Sequence, residues 1–179
     1  MPKYVAFLRG INVGGHNVKM EHLRRLFEAL GFANVETFIA SGNIIFDSPS
    51  KNAKTLERKI ENHLREALGY EVATFIRSTH EVASVAAYRP FPDAESDAGG
   101  DALYITFLAD EPSDEAKQKV LSLATPFNEF HFAGRELYWL CRQKISESEV
   151  SWAALGKALG AQSTMRNTTT VRKLAAKYS

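Results

Sequence analysis

Apolar positions change their spacing along the chain, and each change marks an element. Lys3 to Arg9 is a near-continuous apolar strand that runs into a glycine-rich turn, Gly10 to Gly15. Met20, Leu23, Phe27 and Leu30 fall at helical spacing, and Gly31 supplies a left-handed stop. Val35 to Ala40 and Asn43 to Phe46 read as short strands joined around Ser41-Gly42, a hairpin signal. Leu56, Ile60, Leu64 and Leu68 repeat every four residues after Ser50 or Asn52 as cap, so a second helix ends at Gly69. Glu71 to Arg77 closes the series as a strand. The order β-α-β-β-α-β is that of a ferredoxin-like domain.

The second half reads as a looser copy. A helix over Glu81 to Tyr88 leads into a loop over Arg89 to Gly100, rich in Pro, Asp and Gly. A strand at Ala102 to Ala109, a helix at Asp114 to Leu123 and two strands around Phe127–Phe132 and Glu136–Arg142 follow, with Ala133-Gly134 as the turn. Trp152, Leu155 and Leu159 give another helix and Thr169 to Tyr178 a last one, so helices stand where a fourth strand would be. The expected fold is α+β: a ferredoxin-like subdomain over 1–78, a helix and linker over 79–100, and a second ferredoxin-like subdomain over 101–179. The second is expected to lack its last strand and end in helices. No strong sequence repeat links the halves, so only topology suggests duplication. Strands with one wet face alternate, yet Tyr4–Leu8 and Ile44–Phe46 are apolar at every position, so the open sheet faces are expected to be covered.

Composition narrows the class. The 179 residues are 45% hydrophobic and 24% charged, which fits a packed globular chain and excludes wholesale disorder. The apolar runs fall far short of the ~20 residues a membrane span needs. No secretory signal is visible, and the single cysteine, Cys141, forms no disulfide within the chain. A soluble, cytoplasmic protein is expected. Charge is uneven beneath a net +1: residues 1–78 carry +3, residues 79–163 carry −6, and Thr164 to Ser179 carry four cations and no acid. Such asymmetry marks either an anion site or one segment docking on another.

Topology directs the search for chemistry. In a split β-α-β sheet the first and second strands run parallel on either side of the third, so the loops leaving their C-terminal ends meet at one edge. Arg9, Asn12, Gly14 and Gly15 from the first loop should therefore converge with Ser41, Gly42 and Asn43 from the second. A guanidinium fork, glycine-freed backbone N–H groups, two amides and a hydroxyl are the equipment for an oxyanion. The glycine spacing resembles a nucleotide phosphate loop, but His16-Asn17 stands where Lys-Ser/Thr would grip phosphate and magnesium, so an ordinary ATPase is rejected. The other reading is a tight turn with Asn12 and Asn17 as caps. The basic tail is a second candidate: Arg166, Asn167, Thr170 and Lys173 surround a helix start, with Thr168, Thr169 or Thr170 as cap. A capped and solvated helix explains the same residues.

Other constellations fail. The five histidines show no metal-ligand spacing, so no metal and no cofactor are expected. Ser41 with His16 lacks the Gly-x-Ser-x-Gly elbow of a hydrolase. Phe7-Leu-Arg-Gly-Ile-Asn-Val-Gly-Gly15, Thr37-Phe-Ile-Ala-Ser-Gly-Asn43, and Arg166-Asn167 with Thr170 and Lys173-Leu174 resemble the bacterial family known as domain of unknown function 1697. The third motif departs from that family's Thr-Thr-Arg-Asn-Trp-Asn-Thr wording at Met165, Thr168 and Thr169. The resemblance implies two ferredoxin-like subdomains and carries no catalytic residue. The expected role is binding of a phosphate-bearing ligand, a nucleotide or short nucleic acid. A metal-independent enzyme with Arg9 and His16, or a protein-interaction module, are the alternatives.

Overall fold

The computed structural model describes residues 1–11, 17–39, 42–91, 102–142 and 148–178. The chain divides into two compact units, Met1–Ser84 with Lys173–Ser179, and Val85–Arg172.

The first unit is built from β1 (Lys3–Leu8), α1 (Met20–Glu28), β2 (Ala33–Thr37), β3 (Asn43–Asp47), α2 (Ala53–Leu68) and β4 (Thr74–Ser78). Its sheet has the order β2-β3-β1-β4 with every neighbour antiparallel. Leu23 and Phe27 of α1 and Leu56, Ile60 and Leu64 of α2 pack onto Tyr4, Ala6, Leu8, Ile44, Phe46 and Ile76. The Phe46 ring lies 4.4 Å from that of Phe32 and 5.8 Å from that of Phe27, which fixes α1 on the sheet. Of the two cap candidates for α2, Asn52 accepts from the Thr55 amide at 3.2 Å, and Gly69 ends the helix at φ +84°.

Edge strand β4 is closed by side chains. The Thr74 and Ile76 amides donate to Glu61 and Glu57 of α2, each at 3.1 Å, and the Ser78 amide donates to Glu81 at 2.9 Å. The last bond belongs to a capping box, because the Glu81 amide returns to the Ser78 hydroxyl and starts α3 (Thr79–Ala87). An edge strand with free N–H groups invites another strand, and these carboxylates take that place.

The second unit contains β5 (Ala102–Leu108), α4 (Asp114–Leu121), β6 (Asn128–Ala133), β7 (Glu136–Cys141), α5 (Trp152–Leu159), β8 (Ser163–Asn167) and the start of α6 (Thr168–Tyr178). Sheet order β6-β7-β5-β8 repeats that of the first. The subdomain therefore does not lack its last strand. Strand β8, Ser-Thr-Met-Arg-Asn, has one apolar residue and no alternation, so only its pairing with β5 reveals it. The fold is α+β, with two ferredoxin-like subdomains.

Once the registers are known, a short repeat emerges that reading along the chain does not isolate. Tyr4-Val-Ala-Phe-Leu8 and Tyr104-Ile-Thr-Phe-Leu108 occupy the same place in each sheet. Opposite them, Arg77 pairs with Val5 as Arg166 pairs with Ile105, and Ser78 with Tyr4 as Asn167 with Tyr104. Each arginine is buried and donates from Nη1 to the carbonyl of the residue before it, at 3.0 and 2.9 Å. The sheet faces turned away from α1, α2, α4 and α5 are covered as expected: Val5, Phe7, Ile45 and Phe75 are buried in one, and Ile105, Phe107, Tyr138 and Leu140 in the other.

Candidate functional site

Strands β1 and β2 both end at one edge of the first sheet, and the chain beyond each meets the other there. The Leu8 amide donates to the Gly42 carbonyl at 2.9 Å, and the Arg9 amide to that of Ala73 at 2.9 Å. Gly42 has φ +80°, and a Cβ at that position would lie 3.1 Å from Leu8 Cβ and 3.2 Å from Ile11 Cγ2. Glycine thus serves twice, for the backbone conformation and for the close approach of the two loops. The Tyr70 hydroxyl donates to the Ile11 carbonyl at 3.0 Å and ties the first loop down.

The second loop is a hairpin turn that begins earlier than its sequence suggests, because β2 stops at Thr37. The Phe38 amide donates to the Asn43 carbonyl at 3.0 Å, and the Asn43 side chain donates back to the Phe38 carbonyl at 3.0 Å. Asn43 is fully buried in this clip, so its amide shapes the turn. Ile39 stands beside it at φ +54° and 46% exposed, a β-branched residue in the left-handed region.

Of the expected cluster, Arg9, Gly42 and Asn43 come to this edge, with the Arg9 side chain exposed. Asn12, Gly14, Gly15 and Ser41, like His16, lie outside the described residues. The tail residues take other roles. Arg166 is buried in β8, where Nη1 donates to Thr164 Oγ1 at 2.7 Å, and desolvation brings its pKa down to about 10, so it stays charged at neutral pH. Asn167, not one of the three threonines, caps α6 by accepting from the Thr169 amide at 2.6 Å. The Thr168 hydroxyl instead donates to the Leu103 carbonyl at 2.6 Å. Thr170 is half-buried and Lys173 exposed along α6.

Two residues outside the expected cluster do reach the turn. The end of α6 belongs to the first unit, and the Tyr178 ring stands edge-on to Phe38 at 6.1 Å. Lys177 Nζ lies 5.5 Å from the Phe38 ring and 5.4 Å from that of Tyr178. The Tyr178 hydroxyl is buried and has no hydrogen-bond partner among the described residues. The only sequence signal for this contact is the excess of cations in the tail. Phe38, just past β2, thus carries a tyrosine ring and an ammonium, while the exposed Arg9 follows β1.

No group of three or more His, Cys, Asp or Glu side chains among the described residues is placed to hold a metal ion. No helix among them is long and apolar enough to cross a membrane.

Comparison with known proteins gives a family and a fold. No curated protein matches the chain. A solved structure described as a conserved bacterial protein, SP0830 from Streptococcus pneumoniae, is similar over 99% of this chain and 98% of its own, at 25% identity and a TM-score of 0.79. A family described as a protein of unknown function, DUF1697, matches residues 1–138, a stretch that holds both converging loops and stops short of Arg166. The chain belongs to that family.

Proposed function

We propose that the edge where β1 and β2 end binds a phosphate-bearing ligand, with Arg9 as the exposed cation and the glycine-rich loops as backbone donors. The observation that carries this reading is the close approach at Gly42, which brings the two motif loops within van der Waals contact beside Arg9. A small ligand fits better than a nucleic-acid strand laid on the sheet. The positions that carry stacking aromatics in RNA-recognition domains fall on Ala6–Leu8 and Ile44–Phe46, all of which are buried.

Thermal melts with phosphate and phosphate esters test the reading. A ligand at ~100 times its dissociation constant adds ~2.7 kcal/mol, and a domain of this size gains ~2–4 °C per kcal/mol. A shift of that order in the wild type that Arg9→Ala abolishes is the expected result. Wild-type melts unmoved by every phosphate compound overturn it.

A further inference from the structure

We infer that β6 is a docking edge for a second copy of this chain, strand to antiparallel strand, with Glu129 of each copy opposite His131 of the other. The inference is independent of the anion reading above.

Four strands stand at sheet edges, and three carry a device against further pairing. Carboxylates cap the outward amides of β4, β2 shifts register between Ala33 and Glu36, and in β8 the Arg166 guanidinium folds back on the Met165 carbonyl. Strand β6 has none of these. It pairs with β7 in unbroken register from Asn128↔Cys141 to Ala133↔Glu136. The Arg142 amide donates to the Phe127 carbonyl at 2.8 Å, which fixes the alternation. Glu129, His131 and Ala133 bond to β7, and Asn128, Phe130 and Phe132 turn their backbone groups outward. The Asn128 amide closes on the Thr125 carbonyl at 3.2 Å, and the Phe130 and Phe132 amides have no acceptor among the described residues.

The side chains select the occupant. Glu129 and His131 share one face of β6, and the Glu129 side chain is 46% exposed. A two-fold antiparallel pairing centred on Phe130 sets Glu129 opposite His131 of the second copy, twice over. Moving the centre by one residue sets Glu129 against Glu129 or His131 against His131. The strand is thus complementary to itself in one register. The His131 ring is already oriented, since Nε2 lies 2.7 Å from the Tyr88 hydroxyl and Phe91 stands edge-on to it at 6.4 Å. With Tyr88 donating to Nε2, Nδ1 carries the hydrogen that a carboxylate accepts. Arg142 takes Glu129 Oε2, and Oε1 remains for that bond.

The test is sedimentation velocity of the full chain at neutral pH from about 1 µM to about 1 mM, the range in which a small interface associates. Backbone amide exchange is followed by NMR on the same samples. Wild type should pass from monomer to dimer, and the Phe130 and Phe132 amides should gain protection as it does. His131→Glu sets two pairs of carboxylates against each other and should weaken the dimer about 10-fold or more. Glu129→Lys added to His131→Glu restores opposite charges and should return affinity to within about 3-fold of wild type. A chain that stays monomeric throughout overturns the inference. So does a dimer that His131→Glu leaves unchanged or that the double variant fails to restore. Full protection of the Phe130 and Phe132 amides in the dilute monomer also overturns it, because another part of the chain would then close the edge.

Discussion

Leu8 donates its amide to Gly42 in the first unit, and Leu108 donates its amide to Arg135 in the second, at 2.9 and 3.0 Å. The two bonds hold the same place in two sheets of the same order, and the sequence around them has diverged. In the second unit β6 and β7 are joined by Gly134-Arg135 alone, and β5 leads to α4 through the short acidic run Ala109-Asp-Glu-Pro-Ser113. In the first, the hairpin widens to Phe38–Gly42, and eleven residues from Arg9 to Lys19 separate β1 from α1. Where one copy has an arginine, the other has a glycine against which a second loop packs. One scaffold carries a plain turn in one half and an elaborated one in the other, and the elaboration is where function should be sought.

Placing the second unit's residue in the first breaks the contrast most severely. Gly42→Arg puts a side chain at φ +80° and presses its Cβ against Leu8 and Ile11. Left-handed strain and overpacking together should cost about 2–4 kcal/mol in urea denaturation. Gly134 also has a positive φ, +58°, but nothing lies within 4 Å of its Cβ position. Gly134→Ala should therefore cost only about 1 kcal/mol. Equal losses at the two turns would mean that the loops do not pack at Gly42.

The last strands of the sheets differ as well. Glu57 and Glu61 of α2 cap alternate amides of β4, but α5, Trp152 to Leu159, carries no acidic residue and offers β8 no such ladder. Glu57 is 5% exposed, so Glu57→Ala leaves the Ile76 amide buried without its acceptor. That should cost about 1–3 kcal/mol. Glu61 behaves differently with pH. Burial pushes its carboxyl above the ordinary range, the Thr74 amide opposes this, and Glu57 and Glu71 reinforce it. A carboxyl whose pKa rises on folding binds protons more readily in the folded state, so its charge costs stability above that pKa. Glu61→Gln, whose amide oxygen still accepts from Thr74, should melt higher than wild type at neutral pH. The margin should close as pH falls through the raised pKa toward the ordinary value. A margin that widens on acidification would show that the charge stabilises β4.

These contrasts also explain what the sequence discloses. Helix α2 is readable because Leu56, Ile60 and Leu64 obey one period between the Asn52 cap and Gly69. Strand β8 is hidden because Met165 is its one apolar residue, and the Tyr-x-x-Phe-Leu repeat is too short to stand out until pairing aligns it. Glu57 and Glu61, four residues apart, look like a wet helical face and turn out to be strand caps. At the candidate site, topology predicts the meeting of the loops at Gly42, and the tail residues lie along β8 and α6. Arg166 has the composition of an anion ligand, yet its place in β8 buries it. Lys177 and Tyr178 arrive because α6 returns its end to the first unit, a tertiary path that residue spacing does not encode.

The smallest expected effect is the most diagnostic of the contrast. Ile39→Gly relieves about 1–2 kcal/mol of left-handed strain and adds about 0.5–1 kcal/mol of unfolded-state entropy. The variant should be about 0.5–1 kcal/mol more stable than wild type by urea denaturation. In the second hairpin, Arg135 is not in the left-handed region, so Arg135→Gly relieves nothing and should lose about 0.5–1 kcal/mol. Opposite signs at the two turns would mean that only the first hairpin holds strain. Strain kept at an exposed position, where one residue change would remove it, fits a side chain selected for contact and not for stability. A loss of stability in Ile39→Gly would instead make Ile39 a packing residue, and the two hairpins would then differ in length alone.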